Sequence, residues 1–129
     1  MVRVYLQGAA VGGGAELTTL TDFRLVSQEA TVSFVHGRMG VAPGWGGARR
    51  LVDILGRRRA LDLMLTCSKV GAEEGRRLGY FDLVLTGGQT LAQTETWLEG
   101  EFEKRREEYG FETGQIIYFE VSLIFCCLF

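Results

Sequence analysis

The chain has 129 residues, of which 47% are hydrophobic and 23% charged, and it carries a formal net charge of −2. Such a length allows one modest domain, and the composition is that of an ordinary globular protein. The charge balance gives no basic footprint for nucleic acid, and three cysteines, Cys67, Cys126 and Cys127, make neither a disulfide framework nor a metal set.

In chain order, residues 2–6 predict a buried strand inside an apolar run that extends to Val11. Gly12-Gly13-Gly14-Ala15-Glu16 follows directly, and a short helix over 16–20 comes next. The pattern is that of a strand, a glycine turn and a helix start. Glycines admit dihedrals closed to other residues and let a ligand approach closely. The first helical turn has N–H groups without intrahelical partners, at the positive end of the dipole. The spacing is neither G-x-G-x-x-G nor a Walker loop, so the glycines alone define no nucleotide site. A tight packing turn is the plain alternative.

Residues 23–26 and 31–35 are rich in β-branched and aromatic side chains and predict two strands around a turn at 27–29. Residues 44–47 break regular structure. Leu51, Ile54 and Leu55 fall at helical spacing before Gly56; Ala60, Leu61, Met64 and Leu65 repeat the pattern; 72–78 give a third helix closed by Gly79. Residues 81–85 predict a strand and Gly87-Gly88 a turn. Leu91, Leu98 and Phe102 mark one face of a last, charged helix. Strands alternating with helices argue an α/β fold.

From 116 to 129 only Glu120 and Ser122 are neither apolar, aromatic nor cysteine. This stretch is shorter than the ~20 residues a membrane helix needs and is rich in β-formers. It is expected to be irregular or disordered, with 1–103 as the folded unit and 104–129 as a tail of separate origin, such as a truncated or alternatively spliced product would carry.

Four blocks stand in order: Gln7-Gly8-Ala9-Ala10-Val11-Gly12-Gly13-Gly14-Ala15-Glu16-Leu17, then Thr21-Asp22-Phe23-Arg24, then Gly40-Val41-Ala42-Pro43-Gly44-Trp45-Gly46-Gly47-Ala48-Arg49-Arg50-Leu51, then Ala72-Glu73-Glu74-Gly75-Arg76-Arg77-Leu78-Gly79-Tyr80-Phe81-Asp82. Together they resemble the enoyl-CoA hydratase/isomerase (crotonase) superfamily over about the first hundred residues. Asp22-Phe23-Arg24-Leu25, Phe34-Val35-His36, Met39-Gly40 and Trp45-Gly46-Gly47 resemble its ethylmalonyl-CoA decarboxylase branch.

The resemblance implies a partial ClpP/crotonase-like spiral fold without its N-terminal part. It implies that the Gly13 N–H is one of two donors to a thioester oxygen, with the other donor on a segment before Met1. It places Gly12, Gly13, His36 and Met39 at the substrate. Glu16 matches the first of the two glutamates used by hydratases as acid and base; the alternative is a first-turn carboxylate that compensates the helix dipole. The second glutamate is missing, and its place falls at or near His36. Hydration needs two positioned acid/base groups, whereas loss of CO₂ from a malonyl-type thioester needs an oxyanion hole and a proton donor. His36 is read as that donor, as a partner for the leaving carboxylate, or as a structural histidine at a strand end. The resemblance implies that Trp45 supports the acyl pocket or the subunit core, and core packing is the expectation. Arg49 and Arg50 are expected in ion pairs before contact with a CoA phosphate.

The implied activity is decarboxylation of ethylmalonyl-CoA, or methylmalonyl-CoA, to the simple acyl-CoA. The rivals are an enoyl-CoA hydratase/isomerase and an inactive isoform. No metal or organic cofactor is implied beyond the CoA of the substrate. The implied partners are an acyl-CoA and further copies of the chain, as a trimer or hexamer in the cytosol, with no nucleic acid or membrane.

Overall fold

The computed structural model describes residues 2–86, positions 96, 97, 99, 100 and 104, and the strands at 117–121 and 124–126. Chain order is β1 (Val2–Leu6), β2 (Ala9–Gly12), α1 (Gly13–Thr18), β3 (Phe23–Ser27), β4 (Thr31–Ser33), a 3₁₀ turn (Val35–Met39), α2 (Gly47–Leu55), α3 (Arg57–Thr66), β5 (Val70–Gly71), α4 (Ala72–Leu78), β6 (Leu83–Leu85), β7 (Ile117–Val121) and β8 (Ile124–Cys126).

The strands form two sheets, in the orders β6-β3-β1-β7 and β5-β4-β2-β8. All pairings are parallel except β4 with β5. Each pass of the chain contributes first to one sheet and then to the other: β1 leads to β2, β3 to β4, and β7 to β8. The crossing points are stitched together. Ser27 Oγ donates to the Gln7 carbonyl at 2.9 Å, and the Thr31 N–H donates to the Gly8 carbonyl at 3.0 Å. The apolar run at 2–11 is therefore two short strands broken at Gln7-Gly8.

The main core gathers Leu6, Ala10, Val26, Val32 and Phe34 from the β-layer with Leu51, Leu55, Ala60 and Leu63 from α2 and α3. Removing these side chains from water drives the packing, at roughly 25 cal/mol per Å² of apolar surface. The α4 helix ends against Phe81. A Cβ at Gly75 would collide with the Phe81 ring, so the approach of Phe81 to α4 requires glycine.

A polar knot anchors the start of β3. Arg24 Nε donates to the Tyr80 carbonyl at 2.6 Å and Nη1 to the Thr21 carbonyl at 2.8 Å. Asp82 accepts the Arg24 backbone N–H at 2.7 Å. The Tyr80 hydroxyl meets Thr18 Oγ1 at 2.5 Å, and burial, the dominant influence, pushes the phenol up to about 12.

Several expectations are corrected. The strand expected over 31–35 ends at Ser33, because the chain turns into the 3₁₀ segment that carries His36. The helix expected over 16–20 begins at Gly13 and ends at Thr18. The strand over 81–85 is confined to Leu83–Leu85. On α3 the buried residues are Ala60 and Leu63, and Leu65 is 79% exposed. Within the tail expected to be irregular, 117–121 and 124–126 are strands seated beside β1 and β2, as their β-forming composition allows. The Gly87-Gly88 turn lies outside the described residues, as do Leu91, Leu98 and Phe102.

Candidate functional site

Strand β2 ends at Gly12, whose φ of 59° and ψ of −119° form a conformation open to glycine and hostile to an L side chain. That turn sends the chain straight into α1. Gly13 and Gly14 occupy its buried first turn, and Glu16 follows on the same turn, 2% exposed.

The Glu16 carboxylate is surrounded by donors. Oε1 accepts from the Gly44 N–H at 3.2 Å and meets His36 Nε2 at 2.9 Å. Oε2 accepts from the Trp45 N–H at 2.9 Å and the Gly47 N–H at 3.0 Å. A carboxylate can accept about four hydrogen bonds, and three backbone N–H groups and His36 Nε2 lie within that reach of Glu16. Burying a charge is costly unless such partners offset the lost water.

Arg50 completes the grip on the loop. Its Nη2 donates to the Trp45 carbonyl at 2.7 Å and its Nε to Thr19 Oγ1 at 2.9 Å. The Thr19 hydroxyl in turn donates to the Glu16 carbonyl at 2.6 Å. Residues 44–47 are thus held through their N–H groups by α1 and through a carbonyl by α2. Arg49 instead makes an exposed pair with Asp53 at 3.3 Å.

His36 sits on the 3₁₀ turn, which closes with Gly40 in the left-handed region at φ 66°. Gly37 lets the turn press on α3, since a Cβ there would lie 3.0 Å from the Met64 carbonyl oxygen. His36 is 7% exposed, and its Nδ1 is buried without a hydrogen-bond partner.

A cavity of about 160 Å³ lies over these groups, lined among others by Gly12, Gly13, Glu16, His36, Met39 and Trp45. Pockets that enclose a drug-sized ligand span roughly 300–1,000 Å³. This one is smaller than that range. Gly12, Gly13, Glu16, His36 and Met39, the residues singled out from sequence, all meet at this cavity. Trp45 joins them, half-exposed rather than packed in the core. The loop N–H groups that bind Glu16 were not legible from residue types, because backbone donors have no side-chain signature; only the glycine density at 44–47 marks them. Among the described residues no group of His, Cys, Asp and Glu forms a metal site, and no helix is long and apolar enough to cross a membrane.

Two mostly parallel sheets, with a glycine turn leading from strand to helix beside a buried Glu–His pair, define an α/β protein with its candidate site at a strand-to-helix junction. The chain belongs to the enoyl-CoA hydratase/isomerase family, whose model matches residues 2–110. It is 48% identical over 97 residues to an ethylmalonyl-CoA decarboxylase of Danio rerio, covering 72% of this chain and 32% of that protein. The corresponding protein of Rattus norvegicus is 47% identical over 97 residues, covering 73% and 32%. The chain spans about a third of the length of the curated relatives it matches.

Among solved structures, an enoyl-CoA hydratase of Mycobacterium paratuberculosis superposes with a TM-score of 0.66 at 30% identity, covering 74% of this chain and 43% of that one. A Thermobifida fusca protein described as an enoyl-CoA hydratase, in complex with CoA, superposes with a TM-score of 0.63 at 25% identity, covering 78% and 37%. The crotonase fold expected from the sequence blocks is the fold observed.

Proposed function

We propose that this chain carries the acyl-head part of a site that decarboxylates malonyl-type acyl-CoA, with ethylmalonyl-CoA as the main substrate and methylmalonyl-CoA as a smaller one. The observation that carries this reading is the pairing at the cavity. His36 lines the cavity and has a buried, unpartnered Nδ1, and the one carboxylate among the described lining residues, Glu16, is engaged by three backbone N–H groups and by His36 Nε2. Hydration of a double bond asks for two working acid/base groups. Decarboxylation asks for an oxyanion donor and one proton donor. The relatives named ethylmalonyl-CoA decarboxylase support the same choice.

The Gly13 N–H, in the first turn of α1, donates to the thioester oxygen as it gains charge. The C–C bond to the carboxylate breaks, CO₂ leaves, and its electron pair enters the enolate. An N–H donor aimed at charge that develops only during reaction lowers the barrier rather than merely tightening binding. The protonated imidazole of His36 then gives its Nδ1 proton to the α-carbon, forming butyryl-CoA from ethylmalonyl-CoA, and recovers a proton from water. The chemistry uses no metal or organic cofactor beyond the CoA of the substrate. With this reading go assembly as a trimer or pair of trimers and a place in the cytosol.

The test is CO₂ release from ethylmalonyl-CoA by the protein and by a His36→Gln variant. Removing a positioned proton donor should lower the rate about 10²–10⁴-fold. Unchanged turnover in the variant would remove His36 from the chemistry and overturn the assignment.

A further inference from the structure

Glu16 stands where the family resemblance puts an acid or base of the hydratases, and its side chain is closely engaged by its neighbours. Four groups converge on Glu16: the backbone N–H groups of Gly44 and Trp45 on one loop, that of Gly47 at the start of α2, and His36 Nε2. A group that moves protons to a substrate needs a free lone pair or a proton directed at it. Glu16 could provide either only by releasing a loop N–H or the imidazole. The imidazole has two nitrogens, and the bond made by one decides which proton the other carries. Here the carboxylate takes the Nε2 side, and Nδ1 is the nitrogen without a partner.

We propose that Glu16 is a positioning residue: it holds His36 as the Nε2–H tautomer with Nδ1 left for the ligand, pins loop 44–47 against the cavity, and exchanges no proton with the acyl group. The contact of Nδ1 with an acyl group rests on the decarboxylase reading above; the tautomer does not. The arrangement follows the logic by which a buried carboxylate orients a catalytic imidazole in hydrolase triads.

His36 is the single histidine of the sequence, so ¹⁵N-histidine labelling reports one imidazole. The spectrum is taken about two units above the ordinary imidazole value of ~6.5, where an unperturbed ring is neutral. The expected result is a protonated Nε2 and a bare Nδ1. In Glu16→Gln, which keeps the shape but presents an amide N–H₂ in place of one oxygen, the proton should move toward Nδ1. A wild-type ring with its proton on Nδ1, or divided evenly between the nitrogens, overturns the proposal. So does a folded Glu16→Gln with an unchanged tautomer. If that variant does not fold, the wild-type spectrum alone decides. Absence of turnover on ethylmalonyl-CoA with the Nε2–H tautomer intact would defeat the decarboxylase reading and leave this one standing.

Discussion

Glu16 Oε2 accepts the Gly47 N–H at 3.0 Å, and a Cβ on Gly47 would lie 2.5 Å from Glu16 Cγ. The hydrogen bond and the missing side chain are two aspects of one close approach: the first turn of α2 lies directly on the side chain that fills the site. Gly47→Ala gains at most about 1 kcal/mol of helix propensity. Alanine keeps the backbone N–H, but its Cβ forces Glu16 aside and so strains that hydrogen bond, at a cost of about 1–3 kcal/mol for overpacking alone. The net expectation is destabilisation, read as a lower urea midpoint. A midpoint equal to or above wild type would show that Glu16 yields freely.

The core makes a contrasting pair. Leu51 is fully buried at 0% exposure on α2, and Leu65 is 79% exposed on α3. Leu51→Ala should cost about 2–5 kcal/mol through lost burial and a cavity. Leu65→Ala should stay within about 0.5 kcal/mol. Equilibrium unfolding of both variants checks the difference, and equal losses would contradict the assigned faces of the two helices.

The α3 pattern also shows what the sequence conveys. Ala60, Leu61, Met64 and Leu65 have helical spacing, and a helix is present, but its fully buried residues are Ala60 and Leu63, with Met64 packed partly buried against the core. Strand β1 and helices α2 and α4 were legible because alternation and glycine stops mark them locally. The end of β4 was not. Phe34-Val35 has strong strand propensity, yet the chain leaves the sheet there to bring His36 to Glu16, a tertiary demand that overrides propensity. At the cavity, Gly12, Gly13, Glu16, His36 and Met39 could be named from the sequence, whereas three of the four groups that engage Glu16 are backbone N–H groups and could not.

Arg24 should not tolerate lysine. Its guanidinium serves the Tyr80 and Thr21 carbonyls at once and lies 5.5 Å from the Tyr80 ring centroid. A lysine cannot reproduce that planar fork. Each buried acceptor left unsatisfied costs about 1–3 kcal/mol. Arg24→Lys is expected to lower the melting temperature measurably, and an unchanged melt would show that the fork is dispensable.

Tyr80 gives a pH signature. Its folded value is raised to about 12 from an ordinary 10.0, chiefly by burial, with the Thr18 hydrogen bond and Arg24 opposing. The folded chain therefore holds this proton more tightly than the unfolded one. The contribution is fully present below pH 10 and is lost as pH rises towards 12. Tyr80→Phe should flatten the fall in stability across that window, and tyrosinate absorbance should show one phenol titrating late. A wild-type decline identical to that of the variant would contradict the burial of this hydroxyl.

The central claim concerns which reaction the Gly13, Glu16 and His36 arrangement serves. The direct measurement is kcat/KM of the protein for ethylmalonyl-CoA and for crotonyl-CoA side by side, with products identified by mass. The account predicts butyryl-CoA and CO₂ from the first and no measurable hydration of the second. Hydration of crotonyl-CoA at a comparable or greater rate would contradict it, and would mean that Glu16 does act as an acid or base despite its four partners.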